Sequence, residues 1–264
     1  VTLPIPGSIQ SPLKKCLNRK TKKSLPNTLT RCRGGCPGWP PSESLPVAGL
    51  LRRKRRTDFT DMKAGEKMVF YDFEVFKHDW IVVLIDLDAK KETVIVNDPE
   101  QLRRFYEKHK GTIWAGYNSR NYDQYILKGI LCGFNPKEVN DWIIVEDKPG
   151  YRFSSLLRGF QVINYDVMPN PPISLKALEA FMGHCIKETS VPFDIDRPLT
   201  EAEIQETVKY CRHDVEETVE VWLRRKEDEF DAQMSLVKAF HLPISDIGRT
   251  KAQLSAQILG AVQR

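Results

Sequence analysis

The sequence contains no long apolar run, and no hydrophobic stretch approaches the roughly 18 residues that a membrane-spanning helix needs. The N-terminal region also lacks the apolar middle segment of a secretory signal. We therefore expect a chain without a membrane partner. The overall composition, 41% hydrophobic and 9% aromatic residues, is sufficient for a buried core.

Cysteines are too few and too irregularly spaced for a disulfide framework in a chain of 264 residues. Cys132, Cys185 and Cys211 lie among apolar neighbours, which predicts buried free thiols in a reducing compartment. Cys32 and Cys36 could form half of a metal site. Residues 1–61 contain no histidine and only one further cysteine, so zinc is disfavoured there.

Charge is unevenly distributed along the chain. Residues 1–61 carry 13 lysines and arginines against 3 acids, whereas residues 62–264 carry 27 against 32. The first segment is rich in proline and glycine, shows no lasting apolar periodicity, and is predicted to be a disordered basic arm. Its run Leu51-Arg52-Arg53-Lys54-Arg55-Arg56 could bind nucleic acid or act as a localisation signal. Alternatively, Met62 is the natural start and residues 1–61 are non-native upstream sequence.

From Met62 onward the pattern predicts an α/β domain over residues 62–240. Strands are predicted at 67–74, 80–86 and 92–96, joined by short polar links as in an antiparallel meander. Helices at 98–110, 122–132, 136 onward, 175–182 and 200–229 then alternate with strands at 112–117 and 160–167. This order predicts a mixed sheet, three antiparallel strands followed by parallel ones, flanked by helices. Residues 241–264 end inside a predicted helix, which suggests the truncated start of a following region.

The first strand, Val69-Phe70-Tyr71-Asp72-Phe73-Glu74-Val75, contains two acids two residues apart. The period of two in a strand places Asp72 and Glu74 side by side on one face. Two like charges beside an apolar core are costly unless they are protonated, paired or bound to a cation. A divalent metal ion explains the pair, although an edge strand with two solvated acids remains an alternative.

Two further acids and a tyrosine could belong to the same metal site. Asp123 follows a buried strand in Gly116-Tyr117-Asn118-Ser119-Arg120-Asn121-Tyr122-Asp123. Tyr210 and Asp214 are four residues apart on the long helix and therefore share a face. Asp166 ends a strand and is expected to anchor a helix or a loop, with a contact to substrate as the alternative. His213 should point about 100° away from Asp214 around the helix, which favours a structural role.

These motifs, Asp-x-Glu, Asn-x-x-x-Tyr-Asp and Tyr-x-x-x-Asp in that order, resemble those of the DEDD superfamily of 3′–5′ exonucleases. The third motif has Tyr210 four residues before Asp214, and Lys209 stands where the histidine subgroup would have histidine. The resemblance is therefore to the tyrosine subgroup, typical of polymerase proofreading domains, and covers residues 67–229. Ser174-Leu175-Lys176-Ala177-Leu178-Glu179 also resembles the family's helix between the second and third motifs.

The resemblance implies a ribonuclease-H-like fold and hydrolysis of single-stranded DNA from its 3′ end. It implies two Mg²⁺ or Mn²⁺ ions, which prefer oxygen ligands, bound by the four acids: Asp72, Glu74, Asp123 and Asp214. Tyr210 is implied to orient the attacking water, and Asn118 and Tyr122 to contact the terminal nucleotide.

The whole arrangement resembles the proofreading part of a phage-type DNA polymerase. That resemblance implies a polymerase domain following on the same chain, and the cytoplasm of a bacterium or of a phage-infected host cell. Two alternatives remain: a free-standing exonuclease for RNA or oligonucleotides, and a catalytically silent nucleic-acid-binding module.

Overall fold

The fold is described here for residues 67–261, from a computed structural model of the chain. These residues form one five-stranded sheet in the order β3–β2–β1–β4–β5. The strands are β1 (Met68–Val75), β2 (Trp80–Asp86), β3 (Lys91–Val96), β4 (Ile113–Gly116) and β5 (Asn164–Asp166). Pairing is antiparallel within β1, β2 and β3, and parallel for β1 with β4 and β4 with β5. The predicted α/β mixed sheet is confirmed, and the arrangement is compatible with a ribonuclease-H-like fold.

Eight α-helices accompany the sheet in this part of the chain. They are α1 (Pro99–Lys108), α2 (Asp123–Leu131), α3 (Pro136–Ile144), α4 (Ser155–Gly159), α5 (Leu175–Met182), α6 (Glu201–Arg225), α7 (Ala232–Ala239) and α8 (Lys251–Ile258). Short 3-10 turns cover Gly150–Arg152 and Ile244–Gly248. Of the helices within residues 67–261, none combines the length and apolar character needed to cross a membrane.

Helix ends follow local side-chain chemistry. Ser174 and Thr200 cap α5 and α6 by accepting hydrogen bonds from backbone N–H groups, and Thr200 forms a capping box with Glu203. Gly183 ends α5 with φ of 78°, a left-handed conformation that favours glycine. These caps fix where each helix starts and therefore which side chains it turns towards the sheet.

The two faces of the sheet bury two separate apolar clusters. On one face Met68 and Phe70 of β1 pack with Val215 and Trp222 of α6. On the other face Tyr71 and Phe73 pack with Trp114 and with side chains from α1 to α4. Because β1 lies at the centre of the sheet, its alternate residues contribute to both clusters. The face that α6 covers is therefore the face of Asp72 and Glu74.

Several element boundaries differ from the sequence prediction. The long helix ends at Arg225 rather than near 229, and a π-helical turn, Glu227–Asp231, follows it. This turn places Phe230 in the core, where its ring lies 5.0 Å from that of Tyr165 and 5.6 Å from that of Trp222. The wider turn changes the helical phase, which an apolar period of 3.6 residues cannot predict.

The burial predicted for three cysteines is correct for only one of them. The three cysteines in the described part of the chain are free thiols, as expected, but only Cys211 is buried. Cys132 is half-buried, and Cys185 is exposed in the segment that follows α5. Apolar neighbours in sequence did not imply burial there because Gly183 ends the helix two residues earlier.

The segment after residue 240 packs against the edge of the sheet. Gln233 of α7 donates a hydrogen bond of 2.8 Å to the carbonyl of Ile247, and Arg120 donates one of 3.0 Å to Gly248. A Cβ atom at Gly248 would lie 2.3 Å from the carbonyl oxygen of Asn164 in β5, so only glycine fits there. The domain divisions at 61 and 240 stay predictions, and the basic arm lies outside the described residues.

Lys128 gives a stability prediction. It lies buried on α2, where its Nζ donates a 3.0 Å hydrogen bond to Gln124, and burial lowers its pKa to about 8. Below that pH the fold must bury a charged ammonium. Replacing Lys128 with Met should raise the free energy of unfolding at pH 7 by roughly 1–3 kcal/mol.

The pH dependence checks the cause of this gain. The pKa of Lys128 is lower in the folded chain than in the unfolded chain, so the wild-type protein gains stability between about pH 8 and 10.5. The advantage of Lys128→Met in urea unfolding should shrink over that range. The exposed control Lys108→Met should change stability by less than about 0.5 kcal/mol. A destabilised Lys128→Met protein would contradict the prediction.

Candidate metal centre

Asp72, Glu74 and Asp214 meet between the central strand and the long helix. Asp72 and Glu74 project from β1 towards α6, and Asp214 projects from α6 towards β1. One carboxylate oxygen from each residue lies within 4.8 Å of the others. Glu74 is 4% exposed and Asp72 and Asp214 are half-buried, so all three charges are held largely away from bulk water. The structure thus brings together three of the four predicted metal ligands.

The chemistry of these donors fits a hard divalent cation. Mg²⁺ binds oxygen at about 2.0–2.1 Å, so opposite ligands lie about 4 Å apart. Three carboxylate oxygens within 4.8 Å need only small side-chain adjustments to reach that spacing. The acidic cluster could therefore hold a metal ion, which would offset the repulsion between its carboxylates.

Tyr210 lies one helical turn before Asp214 and faces the same carboxylates. Burial and the nearby charges of Asp214 and Glu74 raise the pKa of its hydroxyl well above the usual value, and Asp214 accepts a hydrogen bond from it. The phenol therefore stays protonated at neutral pH. The hydroxyl can donate a hydrogen bond or orient a water molecule, but because it keeps its proton it cannot act as a tyrosinate base.

Asp123 approaches the site along the edge of β1 that pairs with β4, whereas β2 pairs with the other edge. The backbone N–H of Phe73, between Asp72 and Glu74, donates a 3.1 Å hydrogen bond to Asp123 Oδ1. Asp123 is only 2% exposed and lies at the first position of α2. Among the described residues, the group of carboxylates within 4.8 Å of one another does not include Asp123. Asp123 therefore lies beside the three carboxylates, and its role as a metal ligand stays a prediction.

The turn before α2 shapes this approach. A Cβ atom at Gly116 would lie 2.9 Å from Ser119 Cβ and from the carbonyl oxygen of Tyr71, so the chain can turn this tightly only with glycine. Asn118 follows with φ of 59°, and its side-chain oxygen accepts a 2.8 Å hydrogen bond from Asn121. The turn sets Asp123 beside β1.

Tyr122 stands next to Asp123 and close to the carboxylates. Its hydroxyl donates a 2.8 Å hydrogen bond to Asn140 of α3. Burial, together with the charges of Asp123 and Glu74, raises its pKa well above the usual value. The predicted contacts of Asn118 and Tyr122 with a terminal nucleotide stay predictions.

Lys176 of α5 is a site residue to which the sequence analysis gave no role. Its Nζ lies 2.5 Å from Asp214 Oδ1, 3.1 Å from Glu179 Oε1 and 4.9 Å from the centre of the Tyr210 ring. Burial raises the pKa of Asp214, and the neighbouring Lys176 charge partly offsets this effect. Burial tends to lower the pKa of Lys176, but Asp214 and Glu179 raise it overall.

A sequence signal for Lys176 did exist. Ser174 fixes the start of α5, so Lys176 and Glu179, three residues apart, must share one helical face. The missing information was tertiary: only the folded structure places that face opposite Asp214.

Two residues near the site behave as structural elements. Asp166, at the end of β5, accepts hydrogen bonds from the backbone N–H groups of Met168 at 3.0 Å and Arg120 at 3.2 Å, which confirms it as a loop anchor. Cys211 is fully buried, and its thiol lies 3.2 Å from the carbonyl oxygen of Asp72. Burial and the charges of Asp72 and Glu74 raise the pKa of Cys211, so it is not a thiolate nucleophile.

Comparison with models of known protein families gives no match to this chain. Comparison with curated proteins also gives none. The interpretation of the site therefore depends on its geometry and on the three sequence motifs.

The acidic cluster predicts stabilisation by metal. Because a ligand that binds only the folded chain stabilises it by mass action, Mg²⁺ or Mn²⁺ at about 100 times its Kd should add about 2.7 kcal/mol to the free energy of unfolding. The measurement is thermal unfolding with the metal and with a chelator. Asp72→Asn should remove most of the shift, whereas Asp88→Asn, on the exposed turn after β2, should keep it. An equal shift in Asp72→Asn would contradict the assignment.

Proposed function

We propose that this chain is a metal-dependent 3′–5′ exonuclease that hydrolyses the terminal phosphodiester bond of single-stranded DNA. The observation that supports this proposal most directly is the convergence within 4.8 Å of Asp72 and Glu74, from the first motif, and Asp214, from the third. Tyr210 lies in hydrogen-bonding contact with the same cluster. Oxygen donors in this number and spacing suit divalent cations that act on phosphates.

The reaction adds water to the terminal phosphorus, breaks its bond to the 3′ oxygen, and releases a nucleoside 5′-monophosphate. Two divalent cations would activate the water and stabilise the departing oxygen. Glu74 on β1 and Asp214 on the facing helix α6 would fix the position of that water. The protonated Tyr210 hydroxyl would orient it for attack in line with the scissile bond.

Lys176 extends this proposal to the substrate. Its ammonium group lies beside Asp214 and above the Tyr210 ring, where it brings positive charge to the edge of an otherwise acidic site. A cation at that position would stabilise the charge that develops on the phosphate in the transition state. In the same proposal Asp123, held by the backbone of β1, supports the second metal, and Asn118 and Tyr122 contact the terminal nucleotide.

We further propose that the chain acts as the proofreading domain of a DNA polymerase, in the cytoplasm of a bacterium or of a phage-infected host. This part of the proposal depends on the resemblance of the motifs. A polymerase domain on the same chain would supply the mismatched 3′ ends. Hydrolysis of matched RNA strands faster than DNA would instead identify an RNA exonuclease.

The direct test uses single-stranded DNA labelled at its 5′ end, with Mg²⁺ or Mn²⁺. The wild-type chain should shorten the strand one nucleotide at a time from the 3′ end. Asp72→Asn should reduce the rate by more than about 100-fold, because even the loss of an outer-shell partner costs about 10–100-fold. The control Asp88→Asn removes an exposed acid and should leave the rate unchanged.

Two outcomes would overturn the proposal. Activity that survives in Asp72→Asn would show that a different site, or a contaminant, is responsible. A wild-type chain that binds single-stranded DNA but does not hydrolyse it would instead identify a binding module on this fold.

Tyr210 gives a separate kinetic prediction. Tyr210→Phe keeps the ring but removes the hydroxyl that orients water, so kcat should fall by at least about 10-fold while the metal concentration for half-maximal activity stays unchanged. The measurement is single-turnover hydrolysis over a range of Mn²⁺ concentrations. Tyr165→Phe, which removes another tyrosine hydroxyl in the apolar core, is the matched control. A changed metal requirement with an unchanged kcat would assign Tyr210 to metal binding instead.

A further inference from the structure

A second group of donor atoms shares Asp214 with the proposed exonuclease site. Glu179 of α5 and His213 of α6 each offer one ligand atom, and these atoms lie within 4.8 Å of each other and of an Asp214 oxygen. This group differs from the first because it contains an imidazole. The proposed nuclease chemistry uses neither Glu179 nor His213 as a metal ligand.

The contact between Glu179 and His213 is unusual for a buried pair. Glu179 is fully buried and His213 is 7% exposed. Glu179 Oε1 forms an ion pair with Lys176 Nζ at 3.1 Å, but neither Glu179 Oε2 nor His213 Nε2 makes a well-oriented hydrogen bond. His213 Nε2 and Glu179 Oε2 lie 3.5 Å apart, too far for a good hydrogen bond. Buried polar atoms aimed at each other without a bond call for an explanation.

The spacing matches the edge of a tetrahedral metal site. Zinc binds histidine nitrogen and carboxylate oxygen at about 2.0–2.2 Å, so two of its tetrahedral ligands lie about 3.3–3.5 Å apart. The observed 3.5 Å between Nε2 and Oε2 falls at that value. Nearby, His184 Nδ1, in the segment that follows α5, and Glu217 Oε2 of α6 form an ordinary hydrogen bond of 2.7 Å, so a histidine and a glutamate in this part of the fold can pair closely.

We propose that Glu179, His213 and Asp214 form a site for a transition-metal ion such as Zn²⁺, which shares only Asp214 with the proposed catalytic cation site. One imidazole and two carboxylates are a zinc donor set, and water would complete the tetrahedron. Mg²⁺ prefers oxygen ligands alone, so the imidazole makes this site selective for zinc over magnesium.

Lys176 makes the site conditional. Its ammonium group contacts Asp214 and Glu179, so a zinc ion must displace it. The Lys176 side chain is 27% exposed and lies over the Tyr210 ring, which leaves a route towards solvent. Zinc would also take Asp214 from the catalytic cations and thereby inhibit the nuclease. That inhibition rests on the proposed function, whereas zinc binding itself does not.

The test is a zinc titration of the full chain by calorimetry, without nucleic acid. Cys16, Cys32 and Cys36 are changed to Ser in every protein, so that thiols of residues 1–61 cannot bind the metal. Glu179→Gln and His213→Asn should each weaken zinc binding by more than about 100-fold, as expected when a direct ligand is lost. His184→Asn is the matched control and should bind zinc with unchanged affinity.

Two further measurements separate this site from the catalytic one. Asp72→Asn removes a proposed catalytic ligand but keeps Glu179, His213 and Asp214, so it should still bind zinc. Co²⁺ bound to the protein with an intact Asp72 site should show the strong visible absorption of a tetrahedral site. This measurement does not depend on whether a site variant folds. A weak octahedral spectrum, or zinc affinity lost in Asp72→Asn and kept in Glu179→Gln, would overturn the proposal.

If the chain hydrolyses DNA, zinc should inhibit it in competition with Mg²⁺, and Glu179→Gln should reduce that inhibition. Zinc inhibition that is equal in Glu179→Gln would overturn the link to this site. If the chain does not hydrolyse DNA, the titration and the Co²⁺ spectrum still decide whether the zinc site exists.

Discussion

Like-charge repulsion between Asp72 and Glu74 is the constraint around which the rest of the fold is arranged. Both acids lie on the central strand, on the face that α6 covers. Pairing of β1 with β4 covers Met68 to Phe70, and beyond it the turn after β4 leads to α2. There the N–H of Phe73 donates to Asp123 rather than to a strand. The end of β4 at Gly116 thus leaves room along β1 for another carboxylate beside the first pair.

Burial and the same charges together set the protonation of the surrounding groups. Burial and the nearby carboxylates raise the pKa values of Tyr122, Tyr210 and Cys211 together. Each of these groups keeps its proton at neutral pH, so each can donate a hydrogen bond but none is an anionic nucleophile. The thiol and the two phenols are therefore poor candidates for a nucleophile.

Local chemistry made much of this structure predictable. β2 is continuously apolar, and its predicted limits, 80 and 86, are the observed ones. Ser174 and Thr200 defined two helix starts because capping depends on neighbours only three residues away. The period of two correctly placed Asp72 and Glu74 on one face of the sheet, and the structure shows that α6 covers this face. Cys185 and the turn after Arg225 were not predictable in this way, because burial and helical phase there depend on tertiary packing.

His213 shows that the geometry of a single helix does not determine which side chains meet in the folded chain. Successive residues on a helix point about 100° apart, which separates His213 from Asp214 when α6 is considered alone. The structure adds α5, whose Glu179 lies 3.5 Å from His213 and whose Lys176 lies 2.5 Å from Asp214. Side chains of α5 can therefore contact both His213 and Asp214, although these two residues point in different directions from α6. The sequence of one helix can therefore identify candidate metal ligands, but the packing of the neighbouring helix determines which of these side chains lie close enough to share an ion.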